Sequence, residues 1–275
     1  HDDIFVYRET ADGEVVYNWQ YVDDLFDRML DLGVRPFVEL GFCPGDLART
    51  KGTCFWWKGH GSPPVDYGKW ADLVEAFIRH CQVRYSEAEV RNWYFELWNE
   101  PNLKGFFKGS RSEYFELYKV TVQRIKSIDP DLRVGGPATA NFVPDARFEG
   151  ENENPDAKIT EWPDDLAQLD WRGVWIKEFL QYCAENELPV DFVSTHPYPT
   201  DSAIGMDGQK DHRSRPFDSS VRRDLLWLQE VIKESAYPGA ELHLTEWNST
   251  PDCRDLAHDM LPAAAYIVRA NLDCI

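Results

Sequence analysis

Short apolar runs and amphipathic periodic segments alternate along the whole of this 275-residue chain, which restricts its folds more than any other feature. The runs at 4–7, 36–41, 92–98, 132–136, 190–196 and 241–247 are rich in Val, Phe or Leu and are followed by Gly, Pro or polar residues. Such bounded runs are strand signals. Several are apolar almost throughout, as strands covered on both faces are. Between them, apolar residues recur at i, i+3 and i+4, one face of a helix. Asn18 is placed to cap a helix bearing Tyr21, Val22, Leu25, Phe26, Met29 and Leu32, which Gly33 closes. Trp70, Leu73, Val74, Phe77 and Cys81 mark a second helix, and 112–128 a third, stopped by Pro130. Further helices are expected over 171–187, 219–235 and from 257 to the chain end.

Alternating β and α segments without a composition break argue for a single parallel-sheet domain over 1–275. An open doubly wound sheet would carry phosphate-binding glycines after an early strand. Gly33, Gly41 and Gly45 form no such motif. The expected fold is therefore α/β, a (β/α)8 TIM barrel. With six strands legible, it is expected to be truncated, lacking the first strand and the last strand and helix. The polar stretches 149–170 and 199–218 read as long excursions on the rim of such a barrel.

Charge narrows the partners. There are 29 basic against 48 acidic residues, a net −19. That field repels phosphate backbones and anionic lipid, so neither nucleic acid nor a membrane surface is an expected partner. Screening over about 8–10 Å makes it a weaker bias against polyanionic sugars. A neutral substrate fits best. No apolar run approaches the roughly 18 residues that cross a bilayer. The sequence opens at His1 rather than Met, so any export signal would lie ahead of it.

Cys43, Cys54, Cys81, Cys183, Cys253 and Cys274 form no C-x-x-C pair and have no histidines at zinc-ligand spacing, so no metal or cofactor is expected. Cys81 and Cys183 fall on apolar helix faces, as core residues do. The spacing leaves a Cys43–Cys54 bridge open. Aromatic residues make up 14% of the chain, and most must be core. Phe55-Trp56-Trp57 and Phe106-Phe107 fall in strand-to-helix loops, where flat rings suit either stacking on sugar faces or packing of the loop.

Two strand ends carry candidate chemistry. In Phe95-Glu96-Leu97-Trp98-Asn99-Glu100-Pro101-Asn102 an apolar run is cut short at Pro101, which lacks an N–H for the ladder. Glu100 is thereby set at a strand's C-terminal lip. Glu246, in His243-Leu244-Thr245-Glu246-Trp247-Asn248, ends a later strand in the same way. Two carboxyls on one cleft are the equipment of glycoside hydrolysis, and a gap of about 5–5.5 Å gives retention through a covalent intermediate. Apolar neighbours suit Glu100 to stay protonated as the acid, and a rigid strand suits Glu246 as the nucleophile. The competing reading of Glu100 is a surface ion pair. Asn99 could bind a substrate hydroxyl.

Thr160-Glu161-Trp162 repeats the Thr-Glu-Trp of the second site, but Glu161 sits in the acidic excursion with no strand leading into it. Glu39 and Glu96 lie within strands and read as structural or supporting residues. His196 and Tyr198, at the end of the strand between the two sites, could donate to sugar hydroxyls or orient a carboxylate. His196 could equally be a satisfied core histidine. Serine-hydrolase and zinc-protease motifs are absent.

Together these motifs resemble glycoside hydrolase family 39, particularly its bacterial β-xylosidases. Residues 35–44, with the sequence Arg-Pro-Phe-Val-Glu-Leu-Gly-Phe-Cys-Pro, resemble that family's third strand. Residues 95–103 resemble its fourth strand and 134–138 its fifth, while 191–198 and 243–248 resemble the sixth and seventh. The resemblance implies a retaining exo-acting hydrolase that releases a terminal β-linked xylose or similar neutral sugar. Glu100 falls on the acid/base and Glu246 on the nucleophile. Asn99, Phe106, His196 and Tyr198 fall on positions lining the sugar subsite. It also implies a chain that begins within the second strand and ends after the seventh helix, without the eighth strand or the accessory β-sandwich. The implied partner is a small xylo-oligosaccharide or an aryl or alkyl glycoside, with homo-oligomerisation left open. The family's α-L-iduronidases take a carboxylate-bearing sugar. Here Lys104, Lys108 and Arg111 follow Glu100, but nothing basic follows Glu246 before Arg254, and with −19 overall this favours a neutral pentose. A catalytically silent sugar-binding barrel is the reading from another class.

Overall fold

The computed structural model describes residues 5–54, 59–103, 105–140, 175–198, 200–204, 210–214, 220–249, 251 and 256–275. The chain enters through an antiparallel hairpin of β1 (Tyr7–Glu9) and β2 (Val15–Tyr17). Helix α1 (Gln20–Asp31) leads to β3 (Phe37–Leu40). A small hairpin, β4 (Thr53–Cys54) with β5 (Gly59–His60), precedes α2 (Tyr67–Tyr85) and the single turn α3 (Glu87–Val90). There follow β6 (Tyr94–Leu97), α4 (Arg111–Ile128), β7 (Arg133–Ala140), α5 (Ile176–Glu185) and β8 (Phe192–His196). The hairpin β9 (Thr200–Ile204) and β10 (Lys210–Ser214) lies within the stretch expected to be a plain loop. Helix α6 (Ser220–Glu234), strand β11 (Glu241–Leu244), a 3-10 turn (Leu256–Asp259) and α7 (Leu261–Asp273) complete the order.

Strands β3, β6, β7, β8 and β11 form one parallel sheet, its order following the chain. A flat sheet of this width would hold its outer strands roughly 19 Å apart, at about 4.8 Å per step. Instead the Phe37 ring on β3 lies 5.4 Å from the His243 ring on β11. The Tyr94 hydroxyl of β6 donates to Glu241 of β11 at 2.8 Å. The sheet is therefore strongly curled, and Phe37, Tyr94, Phe192 and His243 meet inside the curl. Gly135 makes room for this layer: a Cβ there would stand 2.2 Å from the Phe192 carbonyl oxygen and 2.6 Å from its Cγ.

The helices form where the periodicity places them. Trp70, Leu73, Val74, Phe77 and Cys81 of α2 are all buried, and the Asp66 side chain caps the helix by accepting from Gly68 and Lys69. Burying one large apolar side chain of this kind stabilises the fold by about 1.5–3 kcal/mol. Trp70 Nε1 donates to Thr121 Oγ1 of α4 at 2.9 Å, which ties the two helices together. Helix α4 starts with a capping box of Ser110 and Glu113.

Three expectations are corrected. The run at 4–7 does not supply a strand to the parallel sheet. Tyr7 begins a hairpin whose reversal uses Gly13 at φ 84, turn chemistry that Asp12-Gly13 announces. Asn18 accepts from Gln20 N–H at 3.1 Å, yet Trp19 occupies the cap position. The face of α1 is split, with Phe26 buried but Tyr21 and Leu25 more than half exposed beside an apolar cleft of about 450 Å³ against β3. No disulfide joins Cys43 and Cys54, the bridge that the spacing had left open, and Cys54 Sγ donates to the Gly105 carbonyl. Phe55, Trp56, Trp57, Lys104, the stretch 149–170 with Glu161, Cys253 and Arg254 lie outside the described residues. Among the described residues, no helix is long and apolar enough to cross a membrane.

Candidate active site

Beyond β6 the chain turns sharply, with Trp98 at φ 67 and Glu100 at φ 45. Each non-glycine residue in this region costs on the order of 1 kcal/mol, so the surroundings must hold them there. The Trp98 indole is fully buried, packs edge-on against Phe42 and Phe107, and donates to the Phe106 carbonyl at 3.0 Å. Glu100 N–H donates to the Ala138 carbonyl at 2.9 Å. The Asn102 carboxamide closes the turn on β7, donating to the Ala140 carbonyl at 2.8 Å and accepting its N–H at 3.0 Å. Ala138, also left-handed at φ 52, sits where the β7–β8 register shifts between Pro137 and Thr139.

These clamps deliver the Glu100 carboxyl, in a residue 5% exposed, to Nδ1 of His196 at 3.1 Å. His196 Nδ1 lies 3.9 Å from Glu246 Oε2, and Tyr198 donates to Glu246 Oε1 at 2.5 Å. A carboxylate oxygen of Glu100, a ring nitrogen of His196 and a carboxylate oxygen of Glu246 all lie within 4.8 Å of one another. Residues 100 and 246 therefore converge at one mouth of the sheet. Strand β11 ends at Leu244, so Glu246 stands two residues beyond it rather than at its end.

The two carboxyls have different surroundings. Burial pushes the Glu100 pKa above its ordinary value and the Glu246 charge adds to this, while the hydrogen bond with His196 and the charge of that ring oppose them. The Glu246 side chain is 51% exposed. Burial works against a charged His196 ring, but the hydrogen bond and charge of Glu100, with Glu246 and Glu96, outweigh it and raise its pKa. Burial and then the Glu246 charge raise Tyr198, which stays a protonated donor.

Below this mouth lies a polar layer. Thr245 Oγ1 donates to Glu96 Oε1 at 2.9 Å and stands 3.1 Å from His196 Nε2. Glu39 borders this layer. The protein packed around its carboxyl and the Glu96 charge push its pKa up to about 8, although the residue is exposed to water. Glu96 is buried, whereas Glu39 is exposed. Asn99 is buried, and its Oδ1 has no hydrogen-bond partner among the described residues. Such an orphan acceptor beside a mouth is suited to a ligand hydroxyl. Phe106 is half-buried, its ring 6.1 Å from that of Phe42 and its carbonyl on Trp98, which attaches it to the core.

Glu100, His196 and Glu246 are also the donor types of a metal site. Both ring nitrogens of His196 are engaged, one by Glu100 and one by Thr245, so ligation would require breaking one of those bonds. The arrangement fits proton transfer better: a buried carboxyl with a raised pKa faces an accessible carboxyl across a gap of sugar-ring size. Sequence reasoning missed Asn102 and Thr245. The only local signals were an Asn just past Pro101 and a hydroxyl next to Glu246.

The family model described as glycosyl hydrolases family 39 matches residues 1–156 and 167–274. A beta-xylosidase of Geobacillus stearothermophilus is 39% identical over 276 residues, covering 98% of this chain and 49% of that protein. One from Caldicellulosiruptor saccharolyticus is 37% identical over 276 residues, covering 100% and 49%. The crystal structure of a monomeric beta-xylosidase from Caulobacter crescentus CB15 superposes with a TM-score of 0.82 at 38% identity, covering 99% of this chain and 49% of that one. The chain thus spans about half the length of the curated relatives it matches.

Proposed function

This chain belongs to glycosyl hydrolases family 39, and from that premise we propose that it carries the active site of a retaining exo-glycosidase that releases a terminal β-linked xylose. The observation that carries the proposal is the approach of Glu100 and Glu246 to within 4.8 Å. That falls with the narrow separation of retaining enzymes, about 5–5.5 Å, and not with the roughly 6.5–9.5 Å that leaves room for a water in inverting ones.

In this reading Glu100 gives its proton to the departing glycosidic oxygen, as its burial and raised pKa favour. Glu246 attacks the anomeric carbon from the accessible side, steadied by the Tyr198 hydroxyl. Water then releases the sugar, with Glu100 taking the water's proton. Asn99 Oδ1 accepts from a hydroxyl of the bound ring, and His196 orients Glu100. Phe106 contributes the edge of the subsite.

The curled sheet and its sequential parallel order support a (β/α)8 barrel as the scaffold, to which β3 through β11 contribute the larger part. The charge of −19 favours a neutral pentose, presented as a small xylo-oligosaccharide or an aryl glycoside, over a uronate. The test is Glu246→Gly with an aryl β-xyloside, using the protein at its natural length. Turnover should vanish and return with external azide as a glycosyl azide of inverted configuration. Rescue of a Glu100 or Glu161 variant in that manner, with none at position 246, would overturn the roles.

A further inference from the structure

Glu96 is a buried carboxyl that the acid and the nucleophile leave unused. It lies on β6 four residues before Glu100, is 3% exposed, and accepts the Thr245 hydroxyl at 2.9 Å. That commits the hydroxyl hydrogen of Thr245. The 3.1 Å contact between Thr245 Oγ1 and His196 Nε2 must then take its hydrogen from the ring. An imidazole with its hydrogen on Nε2 presents a bare Nδ1. The 3.1 Å contact between Nδ1 and Glu100 Oε1 therefore needs one more proton, on the carboxyl or on the ring.

We propose that Glu96 and Thr245 are positioning residues that fix His196 with its hydrogen on Nε2, and so keep within the Glu100–His196 pair the proton that Glu100 delivers. The inference rests on the reading of Glu100 as the acid and extends it to the second half of the reaction. Once Glu100 has given its proton away, a bare carboxylate faces a bare Nδ1, which is repulsive. The pair regains a proton when the incoming water's O–H bond breaks toward Glu100. At the same time the water oxygen bonds to the anomeric carbon, and the bond from that carbon to Glu246 breaks with its electron pair going to Glu246.

Every charged neighbour bears on this relay. His196 faces Glu100, Glu246, Glu96 and Glu39. Glu96 faces His196, Thr245, Ser194, His243 and Glu39, with Tyr114 nearby. Glu100 faces His196 and Glu246, and Tyr198 stands against Glu246. The Glu96 charge is among those that raise His196. Removing it, or cutting its connection at Thr245, should let the pair release its proton at lower pH.

The experiment uses the protein at its natural length, with nitrogen-15 spectra of labelled histidines, His196 being assigned with His196→Asn. Thr245→Val and Glu96→Gln should each lower the His196 midpoint by about one pH unit, the lower end of what a nearby charge does. The alkaline limb of kcat/KM against an aryl β-xyloside should fall by a similar amount, while Thr245→Ser keeps both near the parent's values. Midpoints unmoved in both Thr245→Val and Glu96→Gln would overturn the proposal. So would a Thr245→Ser variant that behaves like Thr245→Val. If His196 shifts as expected but the parent cleaves no xyloside, the placement of the ring hydrogen on Nε2 stands and the glycosidase reading, with the relay built on it, fails.

Discussion

Asn102 touches neither carboxyl, yet its replacement should be among the costliest changes near the site. Its carboxamide makes two buried bonds to the backbone of Ala140, one donated at 2.8 Å and one accepted at 3.0 Å. Ala140 is fully buried, so Asn102→Ala strands both a backbone N–H and a carbonyl. Each loss costs about 1–3 kcal/mol once the partner is left unsatisfied, and the pair about 2–6 kcal/mol. For a chain of this size that is a fall in Tm of roughly 4–12 °C. Glu100 sits two residues away at φ 45, held by its own N–H on Ala138. A loosened turn should misplace the acid and lower kcat by on the order of 100-fold. Asn102→Asp separates the two bonds. It keeps the acceptor for Ala140 N–H but sets a second acceptor against the Ala140 carbonyl, so its stability should recover at acid pH, where protonation restores a donor. Chemical denaturation and thermal melting of both variants, beside kinetics, form the assay. A stability change under about 0.5 kcal/mol in Asn102→Ala, or an Asn102→Asp variant with no pH dependence of its own, would refute the clamp.

Gly135→Ala should cost about 1–3 kcal/mol or prevent folding, because its Cβ would meet the Phe192 carbonyl and ring; a denaturation midpoint equal to the parent's would contradict this. Glu39 has its folded-state pKa raised from 4.5 to about 8, so its contribution is fully present below about pH 4.5 and is lost as pH rises toward about 8. Glu39→Gln should therefore leave the denaturation midpoint near the parent's at pH 4.5 and raise it at pH 8, and equal curves at both pH values would refute it. Tyr198→Phe removes the 2.5 Å bond to Glu246 and should lower kcat about 10- to 100-fold, the equivalent of a hydrogen bond to a charged group. Steady-state kinetics would decide, and an unchanged kcat would count against a steadying role.

What was legible in the sequence had local causes. Strands β6 and β8 stand out because apolar runs end at Pro101 and Pro197, and α2 and α4 because their apolar faces repeat over many turns. The extent of β7 was not legible. Pro137 reads as a stop, yet the strand continues to Ala140 through a shift of register, where a proline is tolerated. The N-terminal hairpin was hidden because an apolar run looks the same in a hairpin as in a parallel strand. Among site residues, the roles of Glu100 and Glu246 could be proposed from their strand ends. Thr245 could not, because its partner Glu96 is 149 positions away in sequence and only the curl of the sheet joins them. Asn102 likewise depends on β7, 38 positions on.

The account stands or falls on which side chain bonds to the sugar. An activated β-xyloside bearing fluorine beside the anomeric carbon reacts with a retaining enzyme's nucleophile and slows the second step, so the glycosylated enzyme accumulates. Digestion and mass spectrometry of the protein at its natural length should find the fluorinated sugar esterified to Glu246 and to no other carboxyl. Label on Glu100 or Glu161, or no label from a protein that hydrolyses xylosides, would contradict it.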